Sequence, residues 1–423
     1  MSAAPAAPDP AADLSPAPGE RMDRRLVVLL AVTCGVAVTN LYVAQPLLDT
    51  IARAFGVGES TAGLLVTAGQ VGYVLGLAFL VPLGDLLERR RLVVGLLVVA
   101  AAAQVVSTVA PSFAVLAASL AAVGVASAVA QVVVPLASSM AGEEERGRIV
   151  GTVMSGLLVG ILLARTLSGL LSELGGFRLV FAVAAGTMLV LAAVLWRFLP
   201  VAPPPVGPDH GVAGRVRYRR LLRSVLALIR EEPELRRRMW LGATGMAIFS
   251  VLWTAVAFLL AREPYGYGDG VIGLFGLAGL AGALMAPVAG RISDAGHGRA
   301  ATTGALVTLL LSWVLLDLGG TSVVALVLGI VVLDFAVQGL QITNQSTIYA
   351  LRPDARSRIT TAYMVAYFLG GVTGSTASSA VWGAGGWDAV CVLGGAIAAV
   401  GLASWIWFGW TARRTGAVAL DRG

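Results

Sequence analysis

The chain has 423 residues, of which 57% are hydrophobic and only 13% are charged. A soluble domain carries about 25% charged residues, so this composition indicates an integral membrane protein. All 30 basic residues are arginine. The lack of lysine excludes the phosphate-binding G-x-x-x-x-G-K-[ST] loop and any lysine Schiff base. The two cysteines lie in apolar runs and the two histidines in polar loops, so we expect no disulfide framework, no metal site and no cofactor.

The first 20 residues are rich in alanine and proline and lack an apolar centre, so we predict a disordered tail over 1–20. Twelve apolar runs follow, each near the roughly 20 residues that a helix needs to cross a bilayer. The pattern therefore predicts an all-α membrane protein with twelve transmembrane helices. Their predicted limits are 26–48, 61–83, 92–110, 112–137, 149–171, 179–198, 239–261, 271–289, 300–318, 322–346, 359–381 and 387–410.

The longest interruption, 199–238, lies halfway along the chain. It begins with a proline-rich stretch and continues as a basic amphipathic stretch, which either lies along the membrane surface or is a solvated linker. We predict an N-terminal six-helix bundle over 21–198, a C-terminal bundle over 239–412 and a tail at 413–423. With the N-terminus inside, 26 arginines are cytoplasmic, three are outside and one is embedded, so both termini are expected in the cytoplasm.

The two halves repeat. A shift of 210 residues aligns 146–178 with 356–388, and nine of these 33 positions are identical without a gap. The identities include two pairs of glycines, Gly175-Gly176 and Gly385-Gly386. Two six-helix halves in the same orientation indicate parallel repeats about an axis along the membrane normal, with a substrate site between them.

Two loops at corresponding places in the halves carry a related motif. The first half has VPLGDLLERRR with Asp85, and the second has GRISDAGHGR with Asp294, 209 residues later. Both resemble the G-x-x-x-D-R-x-G-R-R/K signature of the major facilitator superfamily, although each copy is incomplete. Over nearly the whole chain, the sequence looks closest to bacterial twelve-helix efflux permeases of the arabinose-efflux-like and drug–proton antiporter-like types. The resemblance implies two pseudo-symmetric bundles in the bacterial inner membrane, for which a monomer suffices.

The same resemblance implies a gating role for charges near these loops. In the family the aspartate meets a helix start in the opposite half, where a carboxylate is favoured. The alternative is a set of solvated turns that obey the positive-inside rule. The candidate gating residues are Asp85, Arg89, Arg90, Arg91, Asp294, Arg299, Arg146, Arg148, Arg356 and Arg358.

The fifth predicted helix contains an arginine within an apolar run. Gly160, Ala164, Ser168 and Gly169 fit the register of the exporter signature G-x-x-x-G-P-x-x-G-G, and such small residues allow close helix packing. Arg165 stands where the family usually has proline, so the helix-bending role of that proline is not carried over. Many proton-driven relatives also have an arginine in helix four, and Leu120 stands at that position here.

One aspartate, Asp334, lies deep in predicted helix ten, where it costs several kcal/mol unless it is paired, hydrated or protonated. The resemblance places helices one, four, seven and ten around the central cavity. Direct pairing with Arg165 would keep Asp334 charged and make it a poor proton carrier, so that the two act as a gate. Separation would favour proton exchange and leave Arg165 free for an anionic group. Structural packing against a carbonyl or amide is the alternative for each charge.

Other polar side chains in the predicted helices are candidates for the substrate or proton path. Because they are four and three residues apart, Asp334, Gln338 and Gln341 share one face of helix ten. Hydrogen bonding between helices is the alternative for each amide. Tyr363, Tyr367 and Trp253 are possible aromatic contacts, or packing and interfacial residues. The remaining polar candidates are Asn344, Asn40, Gln45 and Gln131.

These features favour a secondary transporter that exports a small polar or amphipathic solute by alternating access, coupled to proton antiport. The alternative is an importer or facilitator of a sugar, nucleobase or organic anion. A membrane sensor that binds without transport is a more remote reading. The sequence has neither an H-E-x-x-H motif nor paired catalytic aspartates, so we expect no enzyme activity, and we expect no nucleic-acid partner.

Overall fold

The computed structural model describes residues 22–142, 145–201, 212–279, 298–352 and 355–414, and within these ranges it contains helices and no strands. The predicted disordered tail over 1–20 lies outside the described residues. The helices are α1 (Arg24–Thr39), α2 (Leu48–Phe55), α3 (Glu59–Leu75), α4 (Arg89–Val109), α5 (Phe113–Ser127), α6 (Val129–Met140), α7 (Arg146–Phe198), α8 (Val212–Glu231), α9 (Pro233–Ala261), α10 (Asp269–Leu274), α11 (Gly298–Leu318), α12 (Val323–Leu351) and α13 (Arg356–Arg414).

The described helices account for the twelve predicted membrane spans. Eight stretches are long and apolar enough to cross a membrane, and two of these, in α7 and α13, are long enough to cross twice. The first span combines α1 with α2 through a short 3₁₀ turn, Gln45–Leu47. The described part of the eighth predicted span consists of α10 and a 3₁₀ turn, Phe275–Gly279, and the rest of its predicted limit, 280–289, lies outside the described residues. The predicted twelve-helix fold class is therefore confirmed.

Glycines reverse the chain direction inside the two long helices. Gly176 has a φ of 71° and Gly386 has a φ of 62°, and both angles lie in the left-handed region that glycine adopts without steric cost. These residues belong to the glycine pairs that the internal repeat brought into alignment. The repeat therefore marks the turns between spans five and six and between spans eleven and twelve.

The start of α9 differs from the predicted limit of the seventh span at 239. The helix begins at Pro233, where the missing N–H of proline is tolerated in the first turn. Glu234 in the first turn forms an ion pair of 2.7 Å with Arg238. The helix thus starts before the apolar run, and Arg238, assigned to the cytoplasmic loop by its charge, is buried in the C-terminal bundle.

The second part of the interruption between the bundles forms α8. The Tyr218 hydroxyl donates a hydrogen bond of 2.9 Å to the carbonyl of Phe79 in the N-terminal bundle, and Leu228 is buried. Arg352, at the end of α12, forms ion pairs with Glu231 and Glu232 after α8. The basic stretch is thus a helix attached to both bundles, while its position on the membrane surface stays a prediction.

The two bundles contact each other along two seams. We call the face where α1 begins proximal and the opposite face, where α2 ends and α3 and α10 begin, distal. One seam joins α7 to α10, and the other joins α3 to α13. Both seams reach the distal face, so the described part of the protein is closed on that side.

Candidate solute-binding site

The buried arginine of the sequence lies at the interface between the bundles. Arg165, on α7, is only 2% exposed. Its Nε donates a hydrogen bond of 2.7 Å to Oε1 of Gln45 in the first span. Its guanidinium carbon lies 3.7 Å from the ring centroid of Trp253 and 4.9 Å from that of Tyr42. Cation–π attraction is strongest at such desolvated sites, so the aromatic rings stabilise the charge, which contacts no carboxylate among the described residues.

The buried aspartate lies on the other side of the same tryptophan. Asp334, on α12, is 5% exposed, and its Oδ1 accepts a hydrogen bond of 3.3 Å from Nε1 of Trp253. Arg165 and Asp334 form no direct ion pair. The indole of Trp253 instead links them, with its face against the cation and its N–H directed at the anion. The pairing that the sequence left open is therefore indirect.

Arg165 and Asp334 line one cavity between the bundles, with a volume of about 90 Å³ among the described residues. This is small beside ligand pockets of roughly 300–1,000 Å³. The cavity wall comes from the first, fifth, seventh, eighth, tenth and eleventh spans. Its other lining residues are Tyr42, Leu158, Ile161, Leu162, Met246, Phe249, Gly276, Gly279, Val337, Gln338 and Tyr367.

Glycines in the eighth span provide the space for both charged side chains. A Cβ added at Gly276 would lie 2.8 Å from Cβ of Arg165, and one at Gly279 would lie 3.1 Å from Oδ2 of Asp334. A larger residue at either position would push a charged side chain out of place. The chain therefore places glycine where the eighth span passes the two charges.

Hydrogen bonds and ion pairs close the distal ends of the bundles. The carboxylate of Asp269, at the start of α10, accepts hydrogen bonds from Thr50 at 2.8 Å and from Ser172 at 2.6 Å. Glu59, at the start of α3, accepts from Trp382 and forms an ion pair of 2.8 Å with Arg262. Each contact crosses from one bundle to the other, so we call these residues the distal latch: Thr50, Glu59, Ser172, Arg262, Asp269 and Trp382.

The seam between α3 and α13 is polar below the distal latch. The amide of Gln70 donates a hydrogen bond of 3.0 Å to Ser250 and accepts one of 3.2 Å from Ser375. Ser375 also lies 2.8 Å from the hydroxyl of Thr67. These groups are buried or half-buried, and their mutual hydrogen bonds remove the cost of burying them.

The predicted path residues divide between the cavity and the bundle interiors. Gln45 contacts Arg165, and Gln338 lines the cavity. Gln341 is half-buried, and its Oε1 has no hydrogen-bond partner among the described residues. The other three bond within a single bundle: Asn40 with Gln104 and Met188, Gln131 with Tyr73, and Asn344 with Arg238 and Tyr363.

The predicted packing residues lie at helix crossings. A Cβ at Gly160 would overlap the backbone of Gly35 in α1, and one at Gly169 would overlap the carbonyl of Asp269 in α10. Ala164 is fully buried, and the hydroxyl of Ser168 donates to the carbonyl of Arg165. Close backbone contact of this kind is what small residues in membrane helices allow.

The predicted gating residues gather at the proximal face. Arg89 donates to Ser139 at 2.7 Å, and Arg90 stacks on Trp196, in both cases within the N-terminal bundle. Arg91 pairs with Glu88, and Arg148 with Glu145, while Arg146, Arg299 and Arg356 are exposed and Arg358 is half-buried. Asp294 and the side chain of Asp85 lie outside the described residues, so proximal gating stays a prediction.

Two features of this site were not predicted from the sequence. For Trp253 the sequence favoured a packing or interfacial role over a contact in the site, because an aromatic residue in an apolar span is most often one of these. Asp269 stood in an ordinary polar loop, GYGDG, and only its position before an apolar run hinted at a helix start. The role of Asp269 depends on which helix ends of the two bundles meet. A local sequence pattern does not contain this information.

Comparison with known proteins assigns the family. The sequence profile described as Major Facilitator Superfamily matches residues 30–375. The chain belongs to this superfamily of membrane transporters.

Two relatives that cover more than nine-tenths of this chain carry transporter names, and a third matches part of it. The protein called Uncharacterized transporter YgaY, from Escherichia coli O157:H7, is 49% identical over 388 residues, which cover 92% of this chain and 96% of that one. The Probable transporter SCO4007 of Streptomyces coelicolor is 34% identical and covers 97% and 94% of the two chains. The Chloramphenicol resistance protein of Streptomyces lividans is 28% identical over 63% of this chain and 66% of its own.

A solved structure has the same fold. The bacterial homologue of the human lysosomal transporter Spinster, in an inward-facing and unoccupied conformation, superimposes with a TM-score of 0.70. It shares 15% sequence identity, and the match covers 92% of this chain and 97% of that one. The protein is therefore a multi-pass membrane transporter with two bundles of the superfamily type.

Proposed function

We propose that the protein is a secondary transporter that exports a small polar or amphipathic solute by alternating access, in exchange for protons. Its bundles would rock about the cavity that Arg165 and Asp334 line. With both termini in the cytoplasm, the distal face is the outer one, and the closed distal latch corresponds to the inward-open end of the cycle.

The observation that carries this proposal is a pair of buried opposite charges that face one cavity without touching. A charge within a membrane span is costly and usually marks a transport path. Since Asp334 contacts Trp253 and forms no ion pair with an arginine of the described residues, it would remain able to take up and release a proton. Arg165 is held by Gln45 and by aromatic rings, so it keeps its place when Asp334 changes its charge.

Export is supported by two further features. The fifth span retains part of the exporter signature, at Gly160 and Gly169. One relative is named for resistance to chloramphenicol, a phenotype that export of the drug would produce.

A second candidate is an importer or facilitator of an organic anion. It is favoured by Nη2 of Arg165, which is buried and has no hydrogen-bond partner among the described residues. An anionic group would satisfy this donor. Transport of an anion without proton movement would distinguish this candidate from the leading one.

Inside-out membrane vesicles with an acidic interior test the leading proposal. Drugs, sugars and organic anions are added one at a time, and release of protons from the vesicles is followed with a pH-sensitive dye. The variants are Asp334→Asn and Arg165→Ala, with Asp317→Asn as a control because Asp317 is exposed at the distal end of α11.

Export by antiport predicts that a transported solute collapses the pH gradient in the wild type and in Asp317→Asn, while Asp334→Asn shows no collapse. Solute flux without proton movement in the wild type would reject antiport and favour the facilitator. An unchanged response in Asp334→Asn would remove Asp334 from the proton path.

A further inference from the structure

Among the described residues, the cavity has two poles of opposite charge, Arg165 and Asp334, whose charges sum to zero. Arg165 supplies a cation, and Asp334 supplies an anion that it does not contact. A lone anion or a lone cation would leave one uncompensated charge in this buried space, and such a charge is costly. A solute with one charge of each sign would leave the site neutral and give each pole a partner.

The positive pole is shaped for a carboxylate. Gln45 binds Nε of Arg165, and Trp253 and Tyr42 hold the guanidinium plane, so its position is fixed. Its Nη2 remains a donor with no partner among the described residues, on a side chain that lines the cavity. Guanidinium groups bind carboxylates through short, charge-assisted hydrogen bonds.

The negative pole offers an acceptor for an ammonium group. Oδ1 of Asp334 accepts from Trp253, whereas Oδ2 makes no hydrogen bond within the described part of the chain. Gly279 leaves space beside Oδ2. Gln338, one turn along α12, lines the same cavity and adds an amide for the donors that Asp334 does not bind.

The remaining wall is apolar and limits size. Leu158, Ile161, Met246 and Val337 line the cavity between the two poles. With a volume of about 90 Å³, the cavity fits a solute of few non-hydrogen atoms with a short apolar side chain.

We propose that the site binds a small zwitterion of the aliphatic amino-acid type, with its carboxylate on Arg165 and its ammonium group on Asp334. The inference rests on the proposed transport function for the step from binding to flux, while binding itself is independent of it. A monocarboxylate or a simple amine would use one pole only.

Three probes that share the isobutyl group of leucine separate these classes. L-Leucine carries both charges, 3-methylbutylamine carries only the ammonium group, and 4-methylpentanoate carries only the carboxylate. Each is titrated against the full-length protein in lipid nanodiscs, and binding is measured as the rise in Tm and by competition with radiolabelled leucine. A bound ligand raises stability in proportion to RT ln(1 + [L]/Kd), so the shifts rank the affinities.

We expect L-leucine to bind at least about ten-fold more tightly than either single-charge probe, since each loses a charge-assisted contact. In Arg165→Gln, leucine should lose its advantage over 3-methylbutylamine. In Asp334→Asn, it should lose its advantage over 4-methylpentanoate. Arg178→Gln is the control, because the Arg178 guanidinium donates to the carbonyls of Thr108 and Ala110 at the distal face.

If the wild type binds a single-charge probe as tightly as leucine or more tightly, the zwitterion assignment is overturned in favour of that class of solute. If none of the three probes binds, the assignment is overturned as well. If leucine does not bind but the vesicle experiment detects flux of another solute, the zwitterion fails and the transport function stands. If leucine binds with the expected pattern but no flux is detected, the transport function fails and the site assignment stands. Asp334→Asn preserves shape, so a folding defect in Arg165→Gln would leave one pole testable.

Discussion

The two seams between the bundles are related by the internal repeat but are built differently. The shift of 210 residues places Arg165, on the α7–α10 seam, opposite Ser375, on the α3–α13 seam. Below the side-chain hydrogen bond from Ser172 to Asp269, glycine and backbone are in direct contact on the first seam, with Gly169 against Asp269 and Gly273 against Arg165. On the second seam Ser375, Gln70 and Thr67 bond to one another through their side chains.

The difference indicates separate tasks for two equivalent positions. A seam of hydrogen-bonded side chains can exchange partners as the bundles move, whereas a seam of backbone contacts has one closed arrangement. Arg165, which forms no ion pair with Asp334, lies on the α7–α10 seam. A small displacement of α10 there changes the space around both charged side chains. We therefore expect the α7–α10 seam to link cavity occupancy to distal closure.

The largest expected effect comes from Gly169→Ala. The new methyl group would overlap the backbone carbonyl of Asp269, which cannot rotate away. Distal closure should be lost and solute flux should fall by at least about ten-fold, an energetic cost of about 1.4 kcal/mol or more. Distance distributions between spin labels at Arg53→Cys and Glu263→Cys, both at exposed distal positions, measure the closure.

Gly63→Ala on the other seam is the matched comparison. Its methyl group would approach the hydroxyl of Ser379, and that side chain can rotate to relieve the contact. Flux should therefore fall much less than in Gly169→Ala. Equal losses in the two variants would contradict the distinction between a rigid and an adaptable seam.

The second effect concerns the charge in the distal latch. Asp269→Asn leaves one neutral carbonyl oxygen for the two hydroxyls of Thr50 and Ser172, so one charge-assisted hydrogen bond is lost and the other becomes a neutral one. A charge-assisted bond contributes about 1.5–3 kcal/mol, and the distal-open population should rise by about ten-fold or more. The same spin-label pair reports this population, and Asp317→Asn should leave it unchanged. A closed population equal to that of the wild type would show that Asp269 does not hold the latch.

A smaller effect is expected from Gln70→Leu on the polar seam. Ser250 loses its partner, while Ser375 keeps the hydroxyl of Thr67. Hydrogen bonds between membrane helices contribute about 0.6 kcal/mol on average, so the distal-open population should rise by only about three-fold. An effect larger than that of Asp269→Asn would reverse the ranking of the seams.

The fold follows closely from local features of the sequence, and the site does so only in part. Apolar runs predicted the spans. The internal repeat aligned the two glycine pairs, and the structure shows that these pairs lie at the kinks in α7 and α13. Arg165 and Asp334 were candidates because a charge in a membrane is costly wherever it lies. Their indirect contact through Trp253 was not predictable, since it depends on how three spans from two bundles approach one another.

The smallest expected effect is that of Glu59→Gln. The ion pair with Arg262 is partly exposed, with the Arg262 side chain 59% accessible, and such pairs contribute about 0–1 kcal/mol. Glutamine still offers an oxygen to Trp382, so only the charge is removed. The distal-open population should rise by no more than about two-fold in dilute buffer.

At about 1 M salt, where screening acts within about 3 Å, the variant and the wild type should converge. A difference that persists at high salt would mean that Glu59 acts through its hydrogen bond to Trp382, and the distal latch would then depend on hydrogen bonds at both of its carboxylates.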